Sequence, residues 1–234
     1  MEQIRFSVAM ATYNGEKYIK EQLDSILKQL NSNDEIIISD DGSTDNTINL
    51  IKSYNDKRIK IIPGPKKGII KNFENAISNC NGKYIVLSDQ DDIWLDNKIE
   101  TLLKYFEKYD CILHDCFIVN SDNSKIIFPS FFEFRNSKIG IFRNIMKNSY
   151  IGCCMAFKSD FKKYILPIPT NIEMHDQWIG LCCEKFGNVC FIKEKLINYR
   201  RHKDTATNLK HNSLLRMIKN RFNLIININR IKEK

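Results

Sequence analysis

From Ile4 to Asp89 the chain alternates short apolar runs with segments whose apolar residues fall at helical spacing, and few folds accept that pattern. The runs "IRFSVAMA", "DEIIISD", "RIKIIP" and "KYIVLSD" have strand length and are rich in Ile. Between them, "GEKYIKEQLDSILKQL", "STDNTINLIKSYN" and "GIIKNFENAISNC" read as helices, the second opened by a capping Ser or Thr. Buried strands separated by helices imply βαβ units and a parallel sheet covered on both faces. The spacing therefore predicts an α/β fold with a mostly parallel sheet flanked by helices.

The second half is less regular. "CILHDCFIVN" and "KIIF" read as strands around a "SDNS" turn, and "IGIFRNIMKN" as a helix before a strand over "GCCMAFK". "EMHDQWIGLCCEKFG" reads as a helix ending at Gly187, followed by strands "VCFIK" and "LINYRRH". A basic amphipathic helix is expected from about Asn212.

In open parallel sheets ligands bind beyond the carboxyl ends of the strands. Three such ends are polar here: Thr12–Asn14 after the first, Asp40-Asp41 after the second, and Asp89-Gln90-Asp91-Asp92 after the fourth. Like charges set this close repel one another, so either the acids are solvated turns or something positive normally sits among them. The turn after the first strand, "ATYNGEKY", lacks a dinucleotide-binding glycine pattern, and "GPKKGIIK" lacks the spacing of a phosphate loop. A divalent cation bridging carboxylates to phosphate is the other way to hold a phosphate on this rim. Asp89 and Asp91, one residue apart on extended backbone, share a face suited to that task.

The 234 residues, 43% hydrophobic, suffice for one core. No run approaches the length of a membrane-spanning helix, and "MEQIRFSVAMATYN" does not look like a secretory signal, so a soluble intracellular protein is expected. The net charge of +8 gathers after Arg200 and leaves nucleic acid, anionic membrane and phosphorylated substrates open as partners. The eight cysteines include adjacent pairs at 153–154 and 182–183 and no C-x-x-C, which favours reduced, buried thiols over disulfides or zinc.

The ordered set "SVAMATYNGEKYIKEQLDSILKQ", "DEIIISDDGSTDNT", "GIIKNFENAI", "GKYIVLSDQDDIW", "GCCMAF", "HDQW" and "YRRH" resembles family 2 glycosyltransferases, and covers nearly the whole chain. "SDQDDIW" is particularly similar to bacterial transferases that build O-antigen, capsule and related polysaccharides, rhamnosyltransferases among them. The resemblance implies the GT-A fold, a Rossmann-like sheet with a C-terminal helical tail. It divides the chain into one catalytic domain over 1–210 (nucleotide-binding half 1–95, acceptor half 96–210) and a basic helix over 211–234. It also implies an inverting, metal-dependent enzyme that moves a sugar from a UDP- or dTDP-linked donor to a glycan or lipid-linked acceptor.

Site roles follow the same resemblance. Ala11 to Tyr13 would lie against the nucleotide, with Asp41 accepting from the base and Asp40 shaping that pocket or capping its turn. Lys71 and Asn72 fall where the family contacts base or phosphate, though a solvated helical face suits Lys71 nearly as well. "DQD" matches the family's D-x-D motif: Asp91 would ligate Mn²⁺ or Mg²⁺, with Asp89 on the ribose or a metal-bound water. Asp92 would support the ligands or cap the turn. His202 resembles a late metal or diphosphate contact, and Arg200 and Arg201 would pair with phosphate or decorate a basic face. Asp176 aligns with the catalytic base, Glu173 and Asp160 being the next acids to consider. His175 receives no chemical role. Gly152 permits close approach to the acceptor pocket, and Trp178 either walls that pocket or belongs to the core.

A sugar nucleotidyltransferase and a basic nucleic-acid-binding module are the competing readings. The first expects a Gly- and Arg-rich loop after the first strand. The second is opposed by the acidic rim, and nucleic acid is not an expected partner. The tail helix can pack on protein or lie on an anionic membrane at the inner face of the cell membrane, leaving the enzyme cytoplasmic or peripheral.

Overall fold

The structure, a computed structural model, describes residues 5–202 and 214–232. Ile4, the expected start of the tail helix at 211–213, and residues 233–234 lie outside the described residues.

The first half alternates as expected: β1 (Phe6–Thr12), α1 (Ile19–Leu27), β2 (Glu35–Asp40), α2 (Thr47–Ser53), β3 (Ile59–Pro63), α3 (Ile69–Ser78) and β4 (Tyr84–Ser88). Then come β5 (Ile93–Trp94), α4 (Lys98–Phe106), β6 (Cys111–Val119), β7 (Ile126–Phe128), α5 (Phe131–Arg135) and α6 (Ile141–Met146). The chain closes with β8 (Met155–Lys158), α7 (Lys162–Ile165), α8 (His175–Phe186), β9 (Val189–Arg200) and α9 (Leu214–Arg230). One sheet runs β3-β2-β1-β4-β8-β6-β9-β5, with β7 added beside β6.

β1 lies parallel to both β2 and β4, and its register sets Thr12 beside Asp40 and Met10 beside Ser88. The three expected polar strand ends therefore share one rim. Every residue of β2 and β4 is buried, which explains their unbroken apolar runs. α1 buries Ile19, Leu23 and Ile26, and α3 buries Phe73, Ala76 and Ile77, in each case one stripe at helical spacing. The one acid inside β2's start, Glu35, is satisfied by Ser7 Oγ at 2.6 Å, the Asn81 amide at 2.7 Å and Lys60 Nζ at 2.7 Å.

β8 inserts antiparallel between β4 and β6, and β6 pairs parallel with β9. Three local expectations differ from the structure. Gly152–Cys154 form a 3-10 turn, so β8 begins only at Met155. "VCFIK" and "LINYRRH" are one strand, β9, whose register against β6 shifts around Asp115. α2 begins only after Asn46 and without a side-chain cap, while Ser43 Oγ, three residues earlier, bonds Asp40 at 2.6 Å.

All eight cysteines are free and buried. α8 is buried around most of its circumference, from His175 to Cys183. α9 packs through Leu224 and Ile228, while Asn220, Asn223 and Asn227 bond to Glu173 and Asn171. Lys185 Nζ donates to the Ile228 and Ile231 carbonyls and so caps the helix's carboxyl end. Among the described residues, no helix is long and apolar enough to cross a membrane.

Candidate active site

A cavity of about 670 Å³ opens at the rim where β1, β2 and β4 end. That volume suits a ligand well above the size of a single sugar or phosphate. Ala11 and Tyr13 from the end of β1, Asp41 after β2, and Asp89 and Asp91 after β4 all line it. Asp176 at the start of α8 and Gly152 before β8 line it as well.

The two acids after β2 divide their roles. Asp40 is buried, and its carboxylate accepts from Thr12 Oγ1 (2.9 Å), Ser43 N (2.8 Å) and Ser43 Oγ (2.6 Å), so it shapes the turn and stays off the cavity wall. Asp41 faces the cavity and accepts from the amides of Lys66 (2.6 Å) and Gly68 (2.9 Å), drawing the β3–α3 loop over the rim. Gly42 between these loops has φ +97°, and a Cβ there would meet Lys66 Cε at 2.9 Å.

Asn72 reaches the cavity, and its Nδ2 donates to the Thr12 carbonyl at 3.2 Å. Lys71 does not. Its ammonium is held by Glu74 at 2.6 Å and the Ile168 carbonyl at 2.8 Å, along a separate groove beside Pro167. The helical turn between positions 71 and 72 points the two side chains apart. The lysine that does line the cavity is Lys66, which sequence reasoning passed over.

The acidic turn is tied to its surroundings on three sides. Gln90 exchanges hydrogen bonds with the backbone of Tyr13, its Oε1 accepting from Tyr13 N at 2.9 Å and its Nε2 donating to Tyr13 O at 3.0 Å. His202 Nε2 meets Asp91 Oδ2 at 2.7 Å, and its ring packs on Tyr18. Arg200 is buried: its amide donates to Asp92 Oδ1 at 2.9 Å, while its guanidinium donates to the Asp91 and Ser121 carbonyls and to Glu21. Arg200 is thus a brace beneath the turn and not part of a basic face. Arg201 donates its amide to Val119 O.

Two donor sets bear on metal binding. Asp91 and His202 offer a carboxylate oxygen and an imidazole nitrogen already in contact, a combination suited to Mn²⁺ and less so to Mg²⁺. Asp89, Asp92 and Cys153 bring one ligand atom each within 4.8 Å of one another. Burial pushes the Cys153 thiol well up, which keeps it protonated and unsuited to a hard cation. The residues fit a divalent ion best at Asp91 and His202. Burial, then the charges of Asp91 and Asp176, push Asp89 up to about 7. Asp92 is pushed well up by burial and by Asp91 and Asp89.

In the same cavity, Asp176 is nearly covered, and burial raises its carboxyl to about 6. Its Oδ1 accepts from the Gln177 amide at 2.5 Å and lies 3.5 Å from Asn148 Nδ2. His175 beside it is buried, stacks on Phe73 at 4.1 Å between ring centroids, and is lowered to about 3 by burial, so its imidazole is neutral. Gly152 packs closely against it: a Cβ there would sit 3.0 Å from His175 Nε2. Trp178 belongs to the core, its indole N–H donating to Ile165 O at 2.9 Å. Asp160 and Glu173 do not line the cavity.

The sequence pattern of Glycosyl transferase family 2 matches residues 7–165. The chain belongs to that family. It is 32% identical over 217 residues to the dTDP-rhamnosyl transferase RfbG of Shigella flexneri, covering 83% of this chain and 72% of that protein. It is 27% identical over 225 residues to the UDP-Glc:alpha-D-GlcNAc-diphosphoundecaprenol beta-1,3-glucosyltransferase WfgD of Escherichia coli, covering 92% and 85%. Among solved structures, S. aureus TarS 1-349 in complex with UDP-GlcNAc superposes with a TM-score of 0.77 at 18% identity, covering 99% of this chain and 68% of that one. The superposition bears out the GT-A fold with its helical tail. This family 2 glycosyltransferase therefore carries its acidic turn and its buried Asp176 in the lining of one cavity.

Proposed function

We propose that this family 2 enzyme transfers a sugar, with inversion, from a UDP- or dTDP-linked donor to a glycan or lipid-linked acceptor of a bacterial surface polysaccharide. The donor classes are those named for RfbG and WfgD. Residues 1–95 hold the nucleotide, residues 96–210 supply the base and the acceptor wall, and the segment 211–234, which contains α9, is an accessory. The observation that carries this reading is the buried Asp176 carboxyl, raised to about 6, in the same cavity as Asp89 and Asp91.

Asp41 and Asn72 face the nucleotide end, and Ala11 and Tyr13 flank it. Asp91 and His202 would hold Mn²⁺ or Mg²⁺, and such an ion would supply Lewis acidity for the negative charge gathering on the departing diphosphate. Asp89 would serve the ribose or a water on that ion. Asp176 accepts the proton of the acceptor hydroxyl as that oxygen bonds to the anomeric carbon and the anomeric carbon–phosphate-oxygen bond breaks. Attack from the face opposite the leaving group inverts the anomeric centre. Burial excludes water from Asp176 and limits hydrolysis of the donor.

A screen of UDP- and dTDP-sugars with Mn²⁺, scored for nucleotide release with and without a lipid-diphosphate-linked sugar acceptor, tests this reading. Acceptor-dependent release from one donor class is expected. Release from neither class, by a folded protein that binds Mn²⁺, would overturn it.

A further inference from the structure

Exposed large apolar side chains are not scattered over this protein. Among the described residues thirteen are exposed, and eleven of them fall in the segments 126–146 and 215–225. The other two, Tyr13 and Ile69, line the cavity. Folding leaves single apolar residues on any surface, but a concentration of this kind marks a surface that meets something.

The two segments are neighbours. Phe128 of β7 packs on Phe134 of α5 at 4.5 Å between ring centroids. Arg143 of α6 donates to Asn136 O just after α5, and Arg221 of α9 donates to Met146 O at the end of α6. These contacts tie β7, α5, α6 and α9 side by side. On α6, Phe142 is 77% exposed. On α9, Leu215, Ile218, Phe222 and Ile225 recur at helical spacing and are all exposed, Leu215 by 81%. The opposite side of α9, Leu224 and Ile228, is already buried against the protein. The helix thus has two apolar faces, and packing on its own domain satisfies only one.

Charge identifies the occupant. Residues 122–149 and 214–232 together hold ten Lys and Arg against two acids, Asp122 and Glu133, a net +8. That equals the formal charge of the whole chain, so everything outside these segments sums to neutral. Exposed Phe, Ile and Leu interleaved with unopposed bases match an anionic bilayer interface, with the apolar side chains in the acyl boundary and the bases among the headgroups. A second copy of this chain would place +8 against +8.

We propose that β7, α5, α6 and α9 form one membrane-docking surface that seats the enzyme on anionic phospholipid. α9 also bonds to Asn171 and Glu173, a few residues before Asp176, so docking sets the acceptor side of the cavity next to the lipid. This deepens the transferase reading by favouring the lipid-linked acceptor, and rests on it only in that respect.

The test is flotation of the full chain with vesicles of phosphatidylcholine alone and with about 30% phosphatidylglycerol. Neither donor nor acceptor is needed, so a chain that floats but releases no nucleotide would fail the catalytic reading and leave this one standing. Binding is expected only with phosphatidylglycerol. It should fall by roughly tenfold or more in the double variant Phe142→Ser/Phe222→Ser, since two exposed rings leave the bilayer. It should fall comparably in Lys147→Glu/Lys219→Glu, at two exposed lysines of α6's end and α9. Both variants alter exposed groups and should keep the wild-type melting curve and nucleotide release on a water-soluble acceptor. No flotation of the wild type, flotation on phosphatidylcholine alone, or flotation unchanged in both variants would each overturn the proposal. A concentration-dependent dimer dissolved by Phe142→Ser/Phe222→Ser, without vesicle binding, would overturn it in favour of self-association.

Discussion

His202 Nε2 and Asp91 Oδ2 lie 2.7 Å apart although 111 residues separate them in the chain. The contact joins the end of β9 to the acidic turn after β4. Replacing either residue should weaken Mn²⁺-supported donor binding. Asp91→Ala should abolish it, and His202→Ala should cost roughly tenfold or more, a scale at which even a supporting residue of a metal site is felt. Calorimetry with and without chelator measures both. Unchanged donor affinity in Asp91→Ala would place the ion elsewhere, with Asp89, Asp92 and Cys153 next to be tested.

Asp176→Asn should retain donor binding and lose transfer by about 10²-fold or more. In the wild type the base must be ionised, so kcat should rise with pH through about 6 and then level off. Stability should move the other way. The fold holds this carboxyl above its usual 3.8, so its favourable contribution is complete below that value and is lost as pH rises through about 6. Above pH 7, Asp176→Asn should therefore be more stable than wild type, by on the order of 3 kcal/mol. Thermal melts at pH 5 and pH 8 separate the two effects.

Arg200 serves the turn by satisfying carbonyls. Arg200→Met would leave the Asp91 and Ser121 carbonyls without their buried donor, at a cost on the order of 3 kcal/mol. The backbone amide bond to Asp92 would survive, so the protein should still fold, with a lower denaturation midpoint and a weakened metal site. Urea titration reads the first effect and Mn²⁺ titration the second.

Lys71→Ala should leave donor affinity within about twofold of wild type, because its ammonium is already held by Glu74 and Ile168 O away from the cavity. The partly exposed pair contributes on the order of 1 kcal/mol to stability. Lys66→Ala, by contrast, should weaken donor binding, since Lys66 is the lysine on the cavity wall. Equilibrium binding of UDP and dTDP to the two variants distinguishes them.

The parallel half of the sheet was legible because β1, β2 and β4 are buried on both faces, and burial of that kind writes continuous apolar runs into the sequence. The acidic rim was legible for the same reason, as it follows directly where those runs stop. Lys71 and Lys66 were not separable, because which side of a helix or loop faces the rim depends on how α3 docks and not on residue type. Gln90 sat in plain view inside "DQDD", but its bonds to Tyr13 need the register of β1 against β4 to be known. Arg200 looked like surface charge: nothing local distinguishes a lysine- and arginine-rich tail from a guanidinium turned inward beneath a turn. The division of β8 from Gly152–Cys154 was hidden because cysteine and methionine suit strand and turn alike when buried.

The burial of all eight thiols also equips the enzyme with its own clock of opening. A thiol reagent in water finds nothing to attack until the structure opens, so the rate at which each cysteine is labelled measures how often its surroundings part. Cys153 lies beside Asp89 and Asp92, and Cys182 lies within α8 after Asp176. Their separate labelling rates would show whether the two walls of the cavity open as one unit or each on its own schedule.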